Sequence, residues 1–334
     1  MQISNTKSKQ LRHIAITTGD PNGIGFEVTI KALCSSDLAS SKDNCLFFLF
    51  RDRTQEMIQP KLFRVLDKKW TRLTFESVDL ALAFVDQIKI KNNHARPFLI
   101  DLALTCSAVE WVILAAELCK KKILHAMVTG PLSKTLIRSV GRKEVGHTGI
   151  FKTLFPKSTL HMAFVGKYFN VLLATDHIPL SKVEAALTKK NISASKKAAL
   201  HLRKYLKLRK PIAVLGLNPH AGENTIIGSF EKKHLTLLNK PFVGPLVPDA
   251  AFLKESWNKY SVLLCLYHDQ GLIPFKMIHG QDSGVHITVG LPFFRVSVDH
   301  GTAFSLFNKN IANPSSMLEA INLSMKTEVS FSLN

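Results

Sequence analysis

The chain lacks the features that mark several common functional classes. Its five cysteines, Cys34, Cys45, Cys106, Cys119 and Cys265, are odd in number, scattered and without a CxxC pair. That spacing argues against a disulfide framework or a thiolate metal site and suits small buried side chains. No apolar run is long enough to span a bilayer. The best candidate, 109–118, is cut by Glu110 and followed by Lys120, Lys121 and Lys122, so it reads as a buried helix. The first residues, MQISNTKSKQLRH, show no apolar h-region or small-residue cleavage site. No secretory signal is therefore expected, and a cytoplasmic location is. GxGxxG, Walker GK[ST] and HExxH patterns are all absent. Acidic residues are scarce, with 25 Asp and Glu against 44 Lys and Arg and a formal charge of +19. Such an excess admits nucleic acid, an anionic membrane or a phosphorylated substrate as partner. The lysines fall in short clusters, such as Lys189-Lys190, Lys196-Lys197 and Lys232-Lys233, with no aromatic-interleaved patch beside them. A solvated surface is the expected reading, with neither nucleic acid nor membrane as partner.

What is present is an ordinary globular composition, 46% hydrophobic and 21% charged over 334 residues, enough for two lobes. Short β-rich runs alternate with helical patterns: HIAITT, then a helix over 25–34; CLFFLF; a helix over 108–122; ILHAMVTG; LHMAFVG; FNVLLAT; PIAVLGL; SVLLCLY; and a last helix over 314–325 with Ser315 or Ser316 as N-cap. That alternation predicts α/β layers. The stretch 52–96 has weak periodicity and reads as peripheral. Several strand candidates end in turn-rich polar clusters: Gly19 to Gly25, Thr129-Gly130-Pro131, Thr175-Asp176-His177, Asn218 to Glu223, and Tyr267 to Gly271. Open α/β sheets bind ligands beyond the carboxyl ends of their strands, so these clusters are expected to converge on one cleft, which points to an enzyme.

His177, His220 and His268 each follow an apolar strand by a few residues. One such histidine is usually a structural hydrogen-bonder; three in matching positions suit a divalent metal with one coordination position open to substrate. The glycine-rich 19–25 turn fits either tight packing or an anion at a helix N-terminus. In Gly146-His147-Thr148-Gly149, Thr148 is either a helix cap or a phosphate contact. Lys276 and Arg295 interrupt apolar stretches, LIPFK and LPFFR, where a charge is costly to bury. Each is a candidate anion partner or half of a structural ion pair.

Taken together, ITTGDPNGIGFEV, VTGPLSK, GHTGIF, ATDHIPL, GLNPHAGE, GPLVPDAAF, YHDQGLIPFK, VGLPFFRVSVDHGTAF and IANPSSM resemble, in order, the 4-hydroxythreonine-4-phosphate dehydrogenases of pyridoxal phosphate biosynthesis. The resemblance implies a two-lobed α/β/α fold related to isocitrate and isopropylmalate dehydrogenases, with its cleft between lobes at a homodimer interface. By the same analogy one lobe is 1–131 with 296–334, on the NAD side, and the other is 132–295, with the metal and substrate loops. It implies that His177, His220 and His268 bind one divalent ion (zinc, magnesium or cobalt), and leaves open that ligands come from both subunits. His147, Thr148, Lys276, His286 and Arg295 become substrate contacts; Gly301, Thr302 and Asn313 become cofactor contacts. Lys276 or Asp249 becomes the group assisting proton removal. The implied reaction oxidises 4-phosphohydroxy-L-threonine with NAD or NADP and releases carbon dioxide, giving 3-amino-2-oxopropyl phosphate. D-threonate or D-erythronate 4-phosphate is the alternative substrate, and a non-catalytic metal- and phosphate-binding relative the alternative role.

The chain departs from the family pattern in three places. Gly149 replaces an acidic residue, His286 replaces an Asn, and Ser305 to Asn310 replaces a segment that commonly reads D-[IL]-A-G-x-G. The last change sets bulkier residues where glycine permits close approach to a cofactor.

Overall fold

The structure, a computed structural model, describes residues 11–38, 44–87, 96–235, 238–280 and 283–327. It forms two compact units, one of residues up to Gly146 with His300–Lys326 and one of His147–Asp299. These boundaries fall later than the 131/132 and 295/296 divisions expected above. The second shift has a direct cause: the strand Phe294–Val298 pairs antiparallel with Val285–Val289, so the hairpin stays in one unit.

In the first unit β1 (Arg12–Thr17), β2 (Cys45–Asp52), β3 (Thr71–Phe75), β4 (Phe98–Leu104) and β5 (Ala126–Thr129) run in spatial order β3-β4-β2-β1-β5. Every pairing within this set is parallel. Parallel sheets are covered on both faces, which is why β2 reads as the unbroken run CLFFLF instead of an alternation. Phe47, Phe48 and Phe50 are fully buried, each contributing about 2–3 kcal/mol of apolar burial. β5 starts later than the 123–130 run suggests, because the Ile123 and Leu124 N–H groups both donate back to Leu118 O and prolong the helix exit. That helix, Ala108–Lys120, is set by a capping box in which Ser107 accepts from the Glu110 N–H and Glu110 accepts from the Ser107 N–H. The weakly patterned 52–96 stretch supplies the edge strand β3 and Arg72, which at 2.9 Å joins the buried ion pair that Asp101 makes with Arg51 Nε and Nη2 at 2.7 and 2.8 Å.

The last helix, Ser315–Lys326, corrects its expected cap. Asn313 Oδ1, not a serine, accepts from the Ser315 N–H at 3.0 Å, since Ser315 is already helical. All five cysteines are free, with Cys45, Cys119 and Cys265 buried. Among the described residues no helix is long and apolar enough to cross a membrane.

The second unit holds β6 (His161–Val165), β7 (Asn170–Leu173), β8 (Ile212–Leu215), β9 (Phe242–Leu246), β10 (Val262–Cys265), β11 (Val285–Val289) and β12 (Phe294–Val298), in spatial order β12-β11-β6-β7-β10-β8-β9. From β12 to β7 the pairings are antiparallel; from β7 to β9 they are parallel. A core of Phe164, Phe169, Val171, Leu173, Leu263, Leu272 and Phe275 lies against this sheet.

Candidate active site

β7, β10 and β8 are neighbours and parallel, so their carboxyl ends lie on one edge of the sheet. The loops that leave those ends carry His177, His268 and His220 respectively. Buried polar groups lace the three loops. The Ala174 N–H donates to Cys265 O, and Thr175 Oγ1 donates to Leu266 O, both at 2.8 Å. Gln270 Oε1 accepts from the Leu266 N–H at 2.6 Å, while its Nε2 donates to Gly216 O at 2.7 Å. Thr175 and Gln270 are buried, so these bonds are shielded from water and hold the loop bases in fixed register.

Two of the three histidines are brought together. The rings of His177 and His268 are 4.7 Å apart between centroids. Each has Nδ1 at 2.6 Å from a neighbouring carboxylate, Asp176 for His177 and Asp269 for His268. A carboxylate on Nδ1 leaves Nε2 as the metal-binding nitrogen, the arrangement in which second partners orient metal-ligating imidazoles. Burial pushes the Asp176 carboxyl up, but the His177 N–H and Lys152, at 3.2 Å, hold it below its usual value as a charged partner. His220 lies on the third loop, exposed, in a left-handed turn. Among the described residues no three His, Cys, Asp or Glu side chains come within range of one ion. The donor chemistry of His177 and His268 therefore fits a divalent metal, as an incomplete set.

A second cluster occupies the β11–β12 hairpin. Register places Thr288 opposite Arg295 and His286 opposite Ser297. Arg295, 1% exposed, donates from Nη1 to Thr288 Oγ1 at 2.9 Å, and the same atom lies 3.2 Å from His286 Nδ1. Its guanidinium stands 5.3 Å from the centre of the Phe151 ring, against which His147 also stacks. Burial lowers Arg295 to about 9 and, helped by the Arg295 charge, His286 to about 3. His147 is held well below its ordinary value by burial, then by Arg295 and His286. Both imidazoles are thus neutral at physiological pH. The Nε2 atoms of His147 and His286 are buried without a hydrogen-bond partner among the described residues, which leaves two polar positions beside a buried cation to be satisfied from outside the protein. This cluster and the histidine pair belong to the same unit, and Asp176 and His177 contribute, after burial and Arg295, to the electrostatics at His286.

The remaining candidates are placed differently. Thr148 is not a cap, because the helix His147–Leu154 begins one residue earlier. Lys276 is not buried in its apolar stretch: its side chain is 51% exposed on the helix His268–His279, 3.5 Å from Asp299. Asp249 is exposed in the short helix Pro248–Ala251. Gly301, Thr302 and Asn313 belong to the first unit. There Thr302 O accepts from the Ile24 N–H at 2.9 Å, and the 19–25 turn is closed by backbone packing. The divergent 305–310 segment takes positive φ at Asn308 and Asn310, a conformation asparagine tolerates. Lys31 Nζ, donating to Asn310 O and Ala312 O at 3.0 Å, ties it to the helix Gly25–Leu33.

Thr288 and Ser297 were not foreseen as site-building residues, while Thr175, Asp176, Asp269 and Gln270 lie in the clusters expected to converge on the cleft but had no individual role there. The Asp-His and His-Asp neighbours were visible in the sequence, whereas the cross-loop bonds of Thr175 and Gln270 exist only after folding.

The profile of the family described as pyridoxal phosphate biosynthetic protein PdxA matches residues 52–324. The chain is 32% identical to a 4-hydroxythreonine-4-phosphate dehydrogenase of Desulforapulum autotrophicum, over 93% of this chain and 94% of that one. It is also 32% identical to a D-threonate 4-phosphate dehydrogenase of Salmonella typhimurium, over 95% and 99%. The crystal structure of a 4-hydroxythreonine-4-phosphate dehydrogenase from Klebsiella pneumoniae superposes with a TM-score of 0.75 at 27% identity, covering 97% of this chain and 100% of that one. With most of its length matched by the family profile and near-complete coverage of these relatives, the chain belongs to the PdxA family.

Proposed function

We propose that this chain is a metal-dependent, NAD- or NADP-linked dehydrogenase of a phosphorylated four-carbon hydroxy acid, with 4-phosphohydroxy-L-threonine as substrate and 3-amino-2-oxopropyl phosphate as product after loss of carbon dioxide. The observation that carries this reading is the presence in one unit of two carboxylate-held histidines and a buried Arg295–His286–His147 cluster. A metal site beside an anion site is what oxidation of a phosphorylated alcohol calls for.

His177 and His268 would hold the ion, with His220 of the same chain or its counterpart from a second copy completing the set. When bound, the ion supplies a Lewis acid that stabilises negative charge developing on substrate oxygen. Arg295 is prepaid for anion binding: its burial cost is already met by the fold, and Thr288 fixes one face of its guanidinium. His147 and His286, neutral and each with an open nitrogen, add hydrogen bonds without adding charge. Thr148, one residue into the helix that starts at His147, supports the same substrate end. Lys276 or Asp249 assists removal of the hydroxyl proton, Asp249 as an acceptor or Lys276 as a cation beside the developing alkoxide; both are exposed and able to reorient on substrate binding. Gly301, Thr302 and Asn313 form the dinucleotide side. A homodimer is part of this reading. Its support is the exposed apolar surface of the second unit, including Ile226, Leu253, Ile273 and Met277.

A second substrate, D-threonate 4-phosphate, is favoured by one observation, the equal identity to the Salmonella enzyme of that name. Appearance of reduced nicotinamide with each substrate, after chelation and on adding zinc, magnesium or cobalt, tests both. Metal-dependent turnover of 4-phosphohydroxy-L-threonine is expected. Turnover of D-threonate 4-phosphate alone would reassign the substrate, and no turnover of either by folded, metal-loaded protein would sink the dehydrogenase reading.

A further inference from the structure

The segment Pro219–Thr225 is a left-handed turn: φ is positive at His220, Ala221, Gly222, Glu223, Asn224 and Thr225. L-residues avoid this region because Cβ crowds the following carbonyl, so a run of them persists only where the surroundings over-determine it. Apolar packing does not do so here. Gly222 is the only buried residue of the turn, and Ile226 beyond it is 81% exposed.

Beside the backbone bonds from the Ala221 N–H to Asn218 O at 3.1 Å and from the Ile227 N–H to Gly222 O at 3.2 Å, one buried carboxylate restrains the turn. Glu231, 5% exposed, accepts through Oε1 from the Leu217 and Asn218 N–H groups, each at 2.8 Å. Through Oε2 it accepts from Asn218 Nδ2 at 3.0 Å. Its oxygens also fill the space that side chains at two glycines would need. A Cβ on Gly216 would come within 3.3 Å of Oε1, and one on Gly222 within 2.7 Å of Oε2. The entry to the turn and its one buried residue thus pack on the same buried anion. Charge-assisted bonds to backbone N–H groups are the strong kind, and losing the acceptor would leave the partly buried Leu217 and Asn218 donors without their partner.

We propose that Glu231 is a positioning residue: its carboxylate holds the left-handed Pro219–Thr225 turn and thereby places His220 for the candidate metal site. This rests on the reading of His220 as a metal ligand, so the test separates the two statements. Wild type, Glu231→Ala and Glu231→Gln are compared by amide hydrogen exchange and by titration of the metal-free proteins with cobalt(II). In Glu231→Ala, exchange over 217–225 should rise at least tenfold while β7 and β10 stay protected, and cobalt affinity should fall at least tenfold. Glu231→Gln keeps one acceptor and can pair its amide with a flipped Asn218, so it should recover most of both losses; it also serves if the alanine variant does not fold. Loosened exchange with cobalt affinity unchanged would overturn the placement of His220, and unchanged exchange in a folded alanine variant would overturn the role of Glu231. If wild type itself binds no cobalt, the metal-ligand reading fails and takes the placement of His220 with it, while the exchange data still decide whether Glu231 holds the turn.

Discussion

His286 shows how one side chain links the site to stability. In the unfolded chain its imidazole takes a proton as pH falls through 6.5; in the folded protein burial and Arg295 delay that to about 3. Between these values the unfolded state binds more protons than the native state. Stability therefore declines as pH is lowered, by about 1.4 kcal/mol per pH unit for each such imidazole. His147 acts in the same direction. Urea unfolding midpoints between pH 7.5 and 4.5 should fall less steeply for His286→Asn than for wild type. Parallel curves would mean that the folded imidazole titrates normally. The candidacy of His286 was legible in the sequence only through the family resemblance, whereas Arg295 also stood out as a charge interrupting the apolar stretch LPFFR. Their neighbours Thr288 and Ser297 were not legible, because cross-strand register decides which alternate residues face one another.

At the scale of elements, the three metal-candidate loops were legible because each follows a strong apolar strand, and strand ends are where parallel α/β layers expose function. Which strands adjoin was not legible: the order β7-β10-β8 inverts chain order and depends on long-range pairing. The 19–25 turn shows the complementary case. A Cβ on Gly25 would collide with Thr18 O and come within 3.2 Å of Pro131 Cδ. Alanine is the better helix former by about 1 kcal/mol, but overpacking against a backbone carbonyl costs about 1–3 kcal/mol and should win. Gly25→Ala is thus expected to lower stability in urea by about 1 kcal/mol or more. A stabilised variant would show that the turn relaxes freely and is not closed by backbone packing.

For the molecule as a whole, a metal held by the folded state alone should raise its resistance to unfolding. At a free concentration one hundred times the dissociation constant the gain is about 2.7 kcal/mol. Thermal unfolding with zinc or cobalt, against chelated protein, should show an upward shift that disappears in both His177→Asn and His268→Asn. A shift that survives both substitutions would place the ion elsewhere. The net charge of +19 is compatible with the same functional picture, since a cationic protein attracts a phosphorylated anion in solution.

The sequence by itself determined the α/β layering, the strand and helix cores, the free cysteines and the family, because these follow from local periodicity, turn residues and ordered motifs. Only the tertiary structure decided that His177 and His268 meet while Lys276 stays at the surface, that Asn313 caps the last helix, and that a buried glutamate anchors a left-handed turn. Those outcomes depend on which distant segments share an edge of the sheet and on how completely each polar group is removed from water, and neither is a property of residues taken in order along the chain.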